Sequence, residues 1–410
     1  MPETPPPGAE PLDPVPAPRV LLAGGGTAGH VNPLLATAAA LRDPALGGRE
    51  ETGILVLGTA EGLEADLVPE AGFDMAVVPR VPMPRRPTGD LFMLPRRLSR
   101  AVGAAGEAIE AVDAQVVVGF GGYVSTPAYL AARRAGVPVV IHEQNARPGL
   151  ANRLGASWAA AVALTFASTP LRSSKGRTEV TGLPLRPAIG ELVARLAEPD
   201  GAAAARRSGA AALGLDPRAP TVLITGGSLG AQRLNEVLAA ALPSLSPDLQ
   251  VLHLTGRDKD GPVRAAVEAA VADGADPGLA ERYHVLDYLV AMEQAYACAD
   301  GVICRSGAGT VAELTALGLP ALYVPLPIGN GEQRLNAADV VAAGGGRLVA
   351  DARLTAADVV DFTALLTRPA ERGAMAAAAA STGVRDGARR LADLIRTVAR
   401  EGSPSPRRKA

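Results

Sequence analysis

One arrangement occurs twice in this chain and constrains its fold more than any other feature. RVLLAGGGTAGHVNPLLA (residues 19–36) and TVLITGGSLGAQRLNEVLA (residues 221–239) each read as an apolar strand, a glycine turn and a helix. VVVGFGGYVSTPAYLAA (116–132) is matched in the same way by GVICRSGAGTVAELTAL (301–317). Strand–turn–helix units in series connect through right-handed crossovers and build parallel sheets. The internal repeat therefore predicts an α/β fold of two similar Rossmann-like domains.

The alternation of apolar and Ala-rich segments predicts where strands and domains lie. The predicted strands are 20–23, 54–58, 75–78, 116–119, 137–142 and 161–164, then 221–225, 250–255, 284–286, 301–304 and 321–324. We expect a first domain at 19–186, joined by a returning C-terminal helix at about 387–401, and a second domain at 187–386. The Pro-rich residues 1–18 and the tail at 402–410 are predicted to be disordered. Such sheets bind ligands at the carboxyl ends of their strands, so we expect a binding cleft between the domains.

Composition and charge narrow the classes of function. A net charge of −2 at pH 7 argues against general nucleic-acid binding, so no nucleic-acid partner is expected. Cys298 and Cys304 fit neither a disulfide framework nor a metal-ligand spacing, and a reducing cytoplasm is the simplest environment for them. The sequence contains no run of 18 or more apolar residues, so no spanning helix is predicted. No residue pattern predicts a metal ion or another cofactor.

The first glycine turn, GGGTAGH (24–30), raises the question of what it binds. It matches the G-x-G-x-x-G pattern of a dinucleotide site, which also needs an acidic residue about 20 residues further on. Here the acidic residues after the second strand, Glu61 and Glu64, come about 35 residues later, and His30 stands where a dinucleotide carries its pyrophosphate. We therefore predict a site for another ligand, with His30 at a reacting centre in the cleft. The alternative is a histidine that only stabilises the turn.

Two segments of the second half resemble phosphate or ribose sites. TGGSLGAQRLNE (225–236) predicts a phosphate-binding turn with Ser228 as a hydroxyl donor, or a glycine turn that Ser228 caps. CRSGAGTVAEL (304–314) predicts Glu313 in the first turn of the following helix, where it can accept two vicinal hydroxyls of a ribose, or stay solvated. RDKD (257–260) contains the D-x-D pattern of metal-dependent transferases, but its place before Gly-Pro favours a turn or a helix cap.

Two other segments place amide side chains after predicted strands. HEQNARPG (142–149) leaves a buried strand with four consecutive polar residues, the last of which is Asn145. PIGNGEQRLNA (327–337) supplies Gln333 and Asn336 in the second half. Polar residues at the carboxyl end of a parallel strand indicate a bound polar ligand. The alternative for either segment is an ordinary capped loop.

Arginines flank an apolar cluster in RVPMPRRPTGDLFMLPRRLSR (80–100). Six arginines surround the apolar residues 91–94, against a single acidic residue, Asp90. Basic residues around an exposed apolar cluster are typical of docking to an anionic membrane surface. The alternative is a helix that packs its apolar side on the domain and leaves its arginines in water.

Eight motifs together resemble the bacterial MurG family, the N-acetylglucosaminyltransferases of peptidoglycan synthesis. In order they are GGGTAGH, GFGGYVSTP, HEQNARPG, GLPLRP, GGSLGAQRLN, CRSGAGTVAEL, GLPALYVPLP and EQRLNA, and they extend over most of residues 19–350. The resemblance implies the GT-B fold, in which two Rossmann-like domains with parallel sheets face each other across a cleft. It also implies transfer, with inversion, of N-acetylglucosamine from UDP-N-acetylglucosamine to the C4 hydroxyl of the muramoyl residue of lipid I, which gives lipid II.

The resemblance also implies which residues bind each part of the substrates. For the donor sugar they are Thr27, Ala28, Gly29, Asn145 and Gln333; for the uridine, Arg186 and the backbone of Leu289; for the diphosphate, Ser228. The segment that extends from sugar to ribose comprises Ala308, Gly309, Thr310, Val311, Ala312 and Glu313, with Glu313 on the ribose hydroxyls. His30, Tyr123 and Asn336 are implied to lie near the acceptor or the reacting centre, and His30 is the residue that we expect to act as the base.

The resemblance implies a peripheral enzyme at the cytoplasmic face of the cell membrane, with other proteins of cell-wall synthesis as further partners. Ala28 departs from the family, which often has glycine there, and a methyl group disfavours positive φ, so we expect a different turn. The Pro-rich N-terminal extension is a second departure. The sequence leaves three alternatives open: a GT-B enzyme with a soluble acceptor, a UDP-sugar epimerase of the same fold, and a nucleotide-binding module or NAD(P) oxidoreductase.

Overall fold

Two parallel β-sheets, one in each half of the chain, organise the fold. The structure, a computed structural model, describes residues 17–81, 90–227 and 232–402. In the first half the strands are β1 (Arg19–Ala23), β2 (Gly53–Gly58), β3 (Asp74–Val77), β4 (Val116–Gly119), β5 (Val139–Glu143), β6 (Ala161–Leu164) and β7 (Arg177–Val180). In the second half they are β8 (Thr221–Thr225), β9 (Gln250–Leu254), β10 (Tyr283–Leu286), β11 (Gly301–Cys304), β12 (Ala321–Tyr323) and β13 (Gly346–Leu348).

The strand order is doubly wound in both sheets. Among the described residues the first sheet has the order β3-β2-β1-β4-β5-β6-β7 and the second the order β10-β9-β8-β11-β12-β13. The order reverses beside β1, which pairs with β4, and beside β8, which pairs with β11. Open α/β sheets bind ligands at such reversal points, outside the carboxyl ends of the strands. The glycine turns after β1 and β8 lie there, and the predicted pair of Rossmann-like domains is confirmed.

Helices cover both faces of each sheet. In the first domain they are α1 (Ala28–Arg42), α2 (Glu64–Glu70), α3 (Asp90–Val112), α4 (Ser125–Ala135) and α5 (Leu150–Gly155). They continue with α6 (Pro187–Leu196), α7 (Gly201–Leu213), α8 (Gln232–Ala241), α9 (Asp260–Ala272), α10 (Leu279–Arg282), α11 (Met292–Cys298), α12 (Ala308–Leu317), α13 (Glu332–Asn336), α14 (Ala338–Ala342), α15 (Ala356–Leu366), α16 (Pro369–Ser381) and α17 (Gly387–Gly402). Because both faces are covered, strands such as β4 are buried at every residue and show no polar alternation.

The C-terminal helix α17 packs on the first domain. Leu391, Ile395 and Val398 are buried in a core that also contains residues of β1, β4 and α1. The chain therefore crosses between the domains twice, once between β7 and α6 and once before α17.

Two strands were not predicted from the sequence, and both lie at a sheet edge. In β7, which pairs only with β6 in the sheet, three of the four residues are exposed. In β13 one of three residues is buried. Edge strands with one neighbour bury little surface, so they lack the apolar run that indicates a strand. The other strand boundaries agree with the prediction to within about two residues.

Part of the sequence prediction concerns residues that the structure does not describe. Ser228 lies outside the described residues, as do almost all of the two terminal segments predicted to be disordered. In the basic segment, residues 82–89 and the side chains of residues 90–93 also lie outside them. Within the described ranges, no helix has the length and apolarity to cross a membrane.

Candidate active site

Two cavities open at the carboxyl ends of the strands, and they meet. The N-terminal cavity, about 850 Å³, is enclosed mainly by loops of the first domain. The inter-domain cavity, about 700 Å³, lies between loops of both domains. The residues that line both are Thr27, His30, Gln144, Asn145 and Glu332. We call these five residues the junction, because molecules bound in the two cavities would meet there.

The junction is built on the glycine turn between β1 and α1. Gly26 has φ +85°, in the left-handed region that favours glycine. Thr27 is the N-cap residue of α1, but its Oγ1 contacts His30 Nδ1 at 3.0 Å instead of capping the helix. Ala28 and Gly29 start α1 and line the inter-domain cavity, where the first backbone amides of a helix have no partner within it. Since Ala28 is helical, its methyl group causes no backbone strain.

His30 presents a neutral imidazole at the junction. Burial lowers its pKa below 6.5, although a hydrogen bond to the Gly25 backbone and the charge of Glu64 act in the opposite direction. Its Nε2 lies against Gly121, where an added Cβ would be 3.2 Å from that nitrogen. A neutral imidazole beside both cavities can accept a proton from a hydroxyl that enters the junction.

Glu64 holds the glycine turn from behind. It is fully buried, and its Oε2 accepts a hydrogen bond from the Gly26 amide at 2.8 Å. Its Oε1 accepts from the Thr59 amide at 2.9 Å and from Thr59 Oγ1 at 2.7 Å. Burial favours the neutral acid, but these hydrogen bonds outweigh it and lower the pKa of Glu64. A carboxylate engaged in this way is not available to a ribose, so the turn matches the dinucleotide pattern without being a dinucleotide site.

Glu143 organises the polar loop that follows β5. Its Oε1 accepts from the Asn145 amide at 3.0 Å, and its Oε2 accepts from the Gly149 amide and from Asn152 Nδ2, both at 2.9 Å. Glu143 is buried, and burial raises its pKa despite these three donors. The hydrogen bonds fix the backbone that carries Asn145 into the junction.

Asn336 joins the two domains behind the junction. It is 1% exposed, and its Oδ1 accepts from the Ala146 amide at 2.8 Å. Its Nδ2 donates to Asn145 Oδ1 at 3.2 Å and to the Ser306 carbonyl at 3.3 Å. The sequence predicts Asn336 near the acceptor or the reacting centre. The structure places it next to a junction residue with both side-chain polar atoms engaged, which favours positioning of Asn145 over contact with a substrate.

An ion pair between Arg186, the N-cap residue of α6, and Glu313 of α12 lines the inter-domain cavity. Glu313 lies in the second turn of α12 and not in the first turn, where the sequence places it. Arg186 Nε lies 2.8 Å from Glu313 Oε1, and Arg186 Nη2 lies 3.1 Å from Glu313 Oε2. The Tyr296 hydroxyl donates to Glu313 Oε2 at 3.0 Å. Burial, together with the neighbouring Glu313 charge, raises the pKa of Tyr296, so the hydroxyl stays protonated. The sequence predicts Arg186 and Glu313 as binding residues but gives no signal for Tyr296, which occupies an ordinary position in an Ala-rich helix.

The other residues predicted to bind the donor divide between cavity and core. Those that line the inter-domain cavity are Leu289, Ala308, Gly309, Thr310 and Gln333. Gln333 Oε1 accepts from the Leu326 amide at 2.9 Å, which fixes the orientation of its side-chain amide. Val311 and Ala312 are buried in the core of the second domain, so their side chains pack instead of facing a ligand.

Tyr123 lines the N-terminal cavity and is 42% exposed. The Arg80 guanidinium carbon lies 5.7 Å from the centre of its ring, and Arg80 Nη1 lies 3.8 Å from Glu61 Oε2. Leu94 and Leu98 of α3 line the same cavity. The described part of the basic segment therefore borders the N-terminal cavity.

The D-x-D pattern at residues 258–260 forms a turn and the start of helix α9. Asp258 adopts φ 61° in the turn before α9, and Asp260 Oδ2 accepts from Arg264 Nε at 2.9 Å in the first turn of that helix. Among the residues that the structure describes, no group of three or more His, Cys, Asp or Glu side chains is arranged to hold a metal ion.

Two facing Rossmann-like domains with a cavity between them define the GT-B fold. The family model of the glycosyltransferase family 28 N-terminal domain matches residues 20–164, and that of the C-terminal domain matches residues 221–391. A curated protein of Bifidobacterium longum, a UDP-N-acetylglucosamine–N-acetylmuramyl-(pentapeptide) pyrophosphoryl-undecaprenol N-acetylglucosamine transferase, is 52% identical over 82% of this chain and 86% of its own length. A protein of the same name from Clavibacter michiganensis is 50% identical over 95% of this chain and 99% of its own length.

Solved structures agree with the sequence relatives. The crystal structure of Acinetobacter baumannii MurG has a TM-score of 0.71 and 28% identity over 93% of this chain and 99% of that one. A UDP-GlcNAc 2-epimerase from Neisseria meningitidis has a TM-score of 0.64 over 93% and 99% of the two chains, but at 16% identity it shares the fold alone. The chain therefore belongs to glycosyltransferase family 28 and, within it, to the MurG family. The predicted GT-B fold and the resemblance to this family are confirmed.

Proposed function

We propose that this enzyme transfers N-acetylglucosamine from UDP-N-acetylglucosamine to the C4 hydroxyl of the muramoyl residue of lipid I, with inversion, and releases UDP and lipid II. The transferred sugar and the lipid-linked acceptor are those in the names of its curated relatives. The observation that carries the proposal is the junction, because His30 borders both cavities. Transfer between two bound substrates needs such a meeting point.

The inter-domain cavity suits the UDP-sugar donor. Its wall includes the first turns of α1 and α12, whose backbone amides attract anions, and the Arg186 guanidinium. Negative charge grows on the diphosphate as its bond to C1 of the sugar breaks, and these donors stabilise that charge. Glu313 would accept the ribose hydroxyls in exchange for part of its pairing with Arg186 and Tyr296.

The N-terminal cavity suits the lipid-linked acceptor. The C4 oxygen forms its bond to C1 of the donor sugar while the bond from C1 to the UDP oxygen breaks and UDP keeps the electron pair. His30 takes the hydroxyl proton and later returns it to solvent. Tyr123 lines this cavity and can orient the acceptor sugar. Asn145 lies at the junction, where it can contact the donor sugar.

We further propose that the enzyme binds peripherally to anionic lipids at the cytoplasmic face of the cell membrane. Leu94 and Leu98 of α3 line the N-terminal cavity, and Arg96 and Arg100 are exposed on the same helix. Arginines near an apolar surface attract anionic lipids. The protein should co-sediment with vesicles that contain phosphatidylglycerol, and Arg96→Glu with Arg100→Glu should weaken this. Equal binding to neutral phosphatidylcholine vesicles would contradict the proposal.

A transfer assay tests the reaction. Radiolabelled UDP-N-acetylglucosamine and a lipid I analogue should yield labelled lipid and an equal amount of UDP. We expect transfer to continue in EDTA, because backbone amides and Arg186 can stabilise the leaving group. Conversion of the donor to its 2-epimer, or transfer only to a soluble acceptor, would contradict the proposal and favour another enzyme of this fold.

A further inference from the structure

Glu64 is a buried acid that none of the proposed steps uses, yet it lies in the wall of the N-terminal cavity at the start of α2. Its surroundings are built for it. Gly25, Gly58 and Gly62 all lie so close that a Cβ on any of them would collide with the Glu64 side chain. These glycines lie in the turn after β1, at the end of β2 and in the turn after β2, and together they leave room for one carboxylate.

The carboxylate binds the glycine turn and no charged partner is among its three donors, which are two backbone amides and one hydroxyl. The hydrogen bond from Gly26 holds the residue that has φ +85°. Thr27, the next residue, contacts His30 Nδ1 through its Oγ1 at 3.0 Å. The chain of contacts from Glu64 through Gly26 and Thr27 therefore ends at His30.

We propose that Glu64 is a positioning residue for the glycosyl transfer, which clamps the glycine turn so that the His30 imidazole faces the junction. The proposal rests on the role of His30 in the proposed function. The negative charge of Glu64 also stabilises the protonated form of His30, which the imidazole must adopt after it takes the acceptor proton. Glu64 thus acts through His30 and contacts neither substrate.

The Glu64→Gln variant tests the proposal, because it keeps the shape of the side chain and removes the charge. The side-chain NH₂ group that Glu64→Gln introduces would face at least one of the three hydrogen-bond donors and could not accept from it, so part of the glycine turn would no longer be held. We expect an unchanged affinity for UDP by calorimetry and a loss of kcat of about 100-fold, as for a small misplacement of a reacting group. Asp66→Asn, an exposed change in the same first turn of α2, is the matched control and should keep kcat.

The pH profile separates positioning from a merely structural role. Without the Glu64 charge the pKa of His30 falls further, so the acid limb of kcat should move to lower pH in Glu64→Gln and stay in place in Asp66→Asn. The other ionisable side chains that line the cavity with His30, and that are unchanged in both variants, are Glu61, Arg80, Tyr123, Glu143, Arg147 and Glu332. A lower Tm with the wild-type acid limb would overturn the proposal.

A histidine titration by NMR gives a result that does not depend on transfer. The chain has four histidines, and His30→Ala identifies the signal of His30. Its titration midpoint should fall in Glu64→Gln and hold in Asp66→Asn. If the wild-type enzyme transfers no sugar, the proposed function is wrong whatever the NMR result. If the wild-type enzyme transfers sugar but Glu64→Gln has the same kcat and the same His30 titration midpoint, only the proposed role of Glu64 is wrong. Should Glu64→Gln not fold, Glu64→Asp keeps the charge with a shorter reach and should lower kcat with little movement of the acid limb.

Discussion

His30 is one of the five residues that line both cavities, and burial lowers its pKa below 6.5, so it is neutral at pH 7. We predict that His30→Ala leaves the UDP affinity measured by calorimetry unchanged and lowers kcat by roughly 10²- to 10⁴-fold, the usual contribution of a general base. His284→Ala, in β10 of the second domain, is the control and should keep kcat. Full turnover in His30→Ala would remove the residue from the mechanism.

A substitution of Glu313 tests the proposed binding site of the UDP-sugar donor. The two oxygens of Glu313 hold Arg186 and Tyr296, and the residue is 7% exposed. Glu313→Gln should weaken UDP binding by roughly 10- to 100-fold, because hydrogen bonds to a charged group are lost and Arg186 keeps an unpaired charge. Calorimetry with UDP measures this, with the exposed Glu268→Gln of α9 as the control. An unchanged affinity would exclude Glu313 from the donor site.

At the scale of elements, what the sequence could predict was local. The glycine turns after β1 and β8 could be recognised because each strand, turn and helix is contiguous in the chain. The edge strands β7 and β13 could not, since most of their residues are not buried and they lack the apolar run that indicates a strand. In the site, the contacts between residues remote in sequence could not be predicted. Asn336 and Ala146 are 190 residues apart and Arg186 and Glu313 are 127 apart, and no local pattern indicates that they touch.

The short helix α13 carries Asn336, whose side chain joins the two domains by hydrogen bonds. Asn336 Nδ2 donates to Asn145 Oδ1 and to the Ser306 carbonyl. Asn336→Asp would replace that donor by an acceptor facing two oxygens, so it should displace Asn145 from the junction and lower kcat/KM. Steady-state transfer kinetics measure the loss. Asp339→Asn of α14, which also bonds across the domains through the exposed Ser168, is the matched control, and an equal effect in both variants would contradict a special role for Asn336.

At the scale of the whole molecule, the two domains contain similar parallel sheets, but the site between them is not symmetric. The turn after β1 is clamped by Glu64, whereas the second turn of α12, after β11, carries Glu313 into an ion pair with Arg186. A fully buried residue of β5, His142, contacts one of the two crossings of the chain between the domains. His142 is 0% exposed and bonds to Gly182, at the end of the first domain.

This buried histidine sets an acid limit to the stability of the molecule. His142 Nε2 donates to the Gly182 carbonyl at 3.0 Å, and Gln144 Nε2 lies 3.3 Å from His142 Nδ1, which leaves no room for a second ring proton. Burial lowers the pKa of His142 from 6.5 to about 4. Between these pH values the unfolded chain binds a proton that the folded chain does not. The free energy of unfolding should therefore fall as the pH falls through this window, by about 3 kcal/mol from this residue.

Urea unfolding at a series of pH values from about 7 down to about 4 measures this fall. His142→Gln can still donate to Gly182 but does not titrate, so its unfolding free energy should depend less on pH than that of the wild type, even where the variant is less stable overall. His284→Gln, which replaces a half-buried histidine, is the control and should keep most of the wild-type slope. Equal slopes in His142→Gln and the wild type would mean that His142 is protonated in the folded enzyme, and that the crossing at Gly182 is open to water.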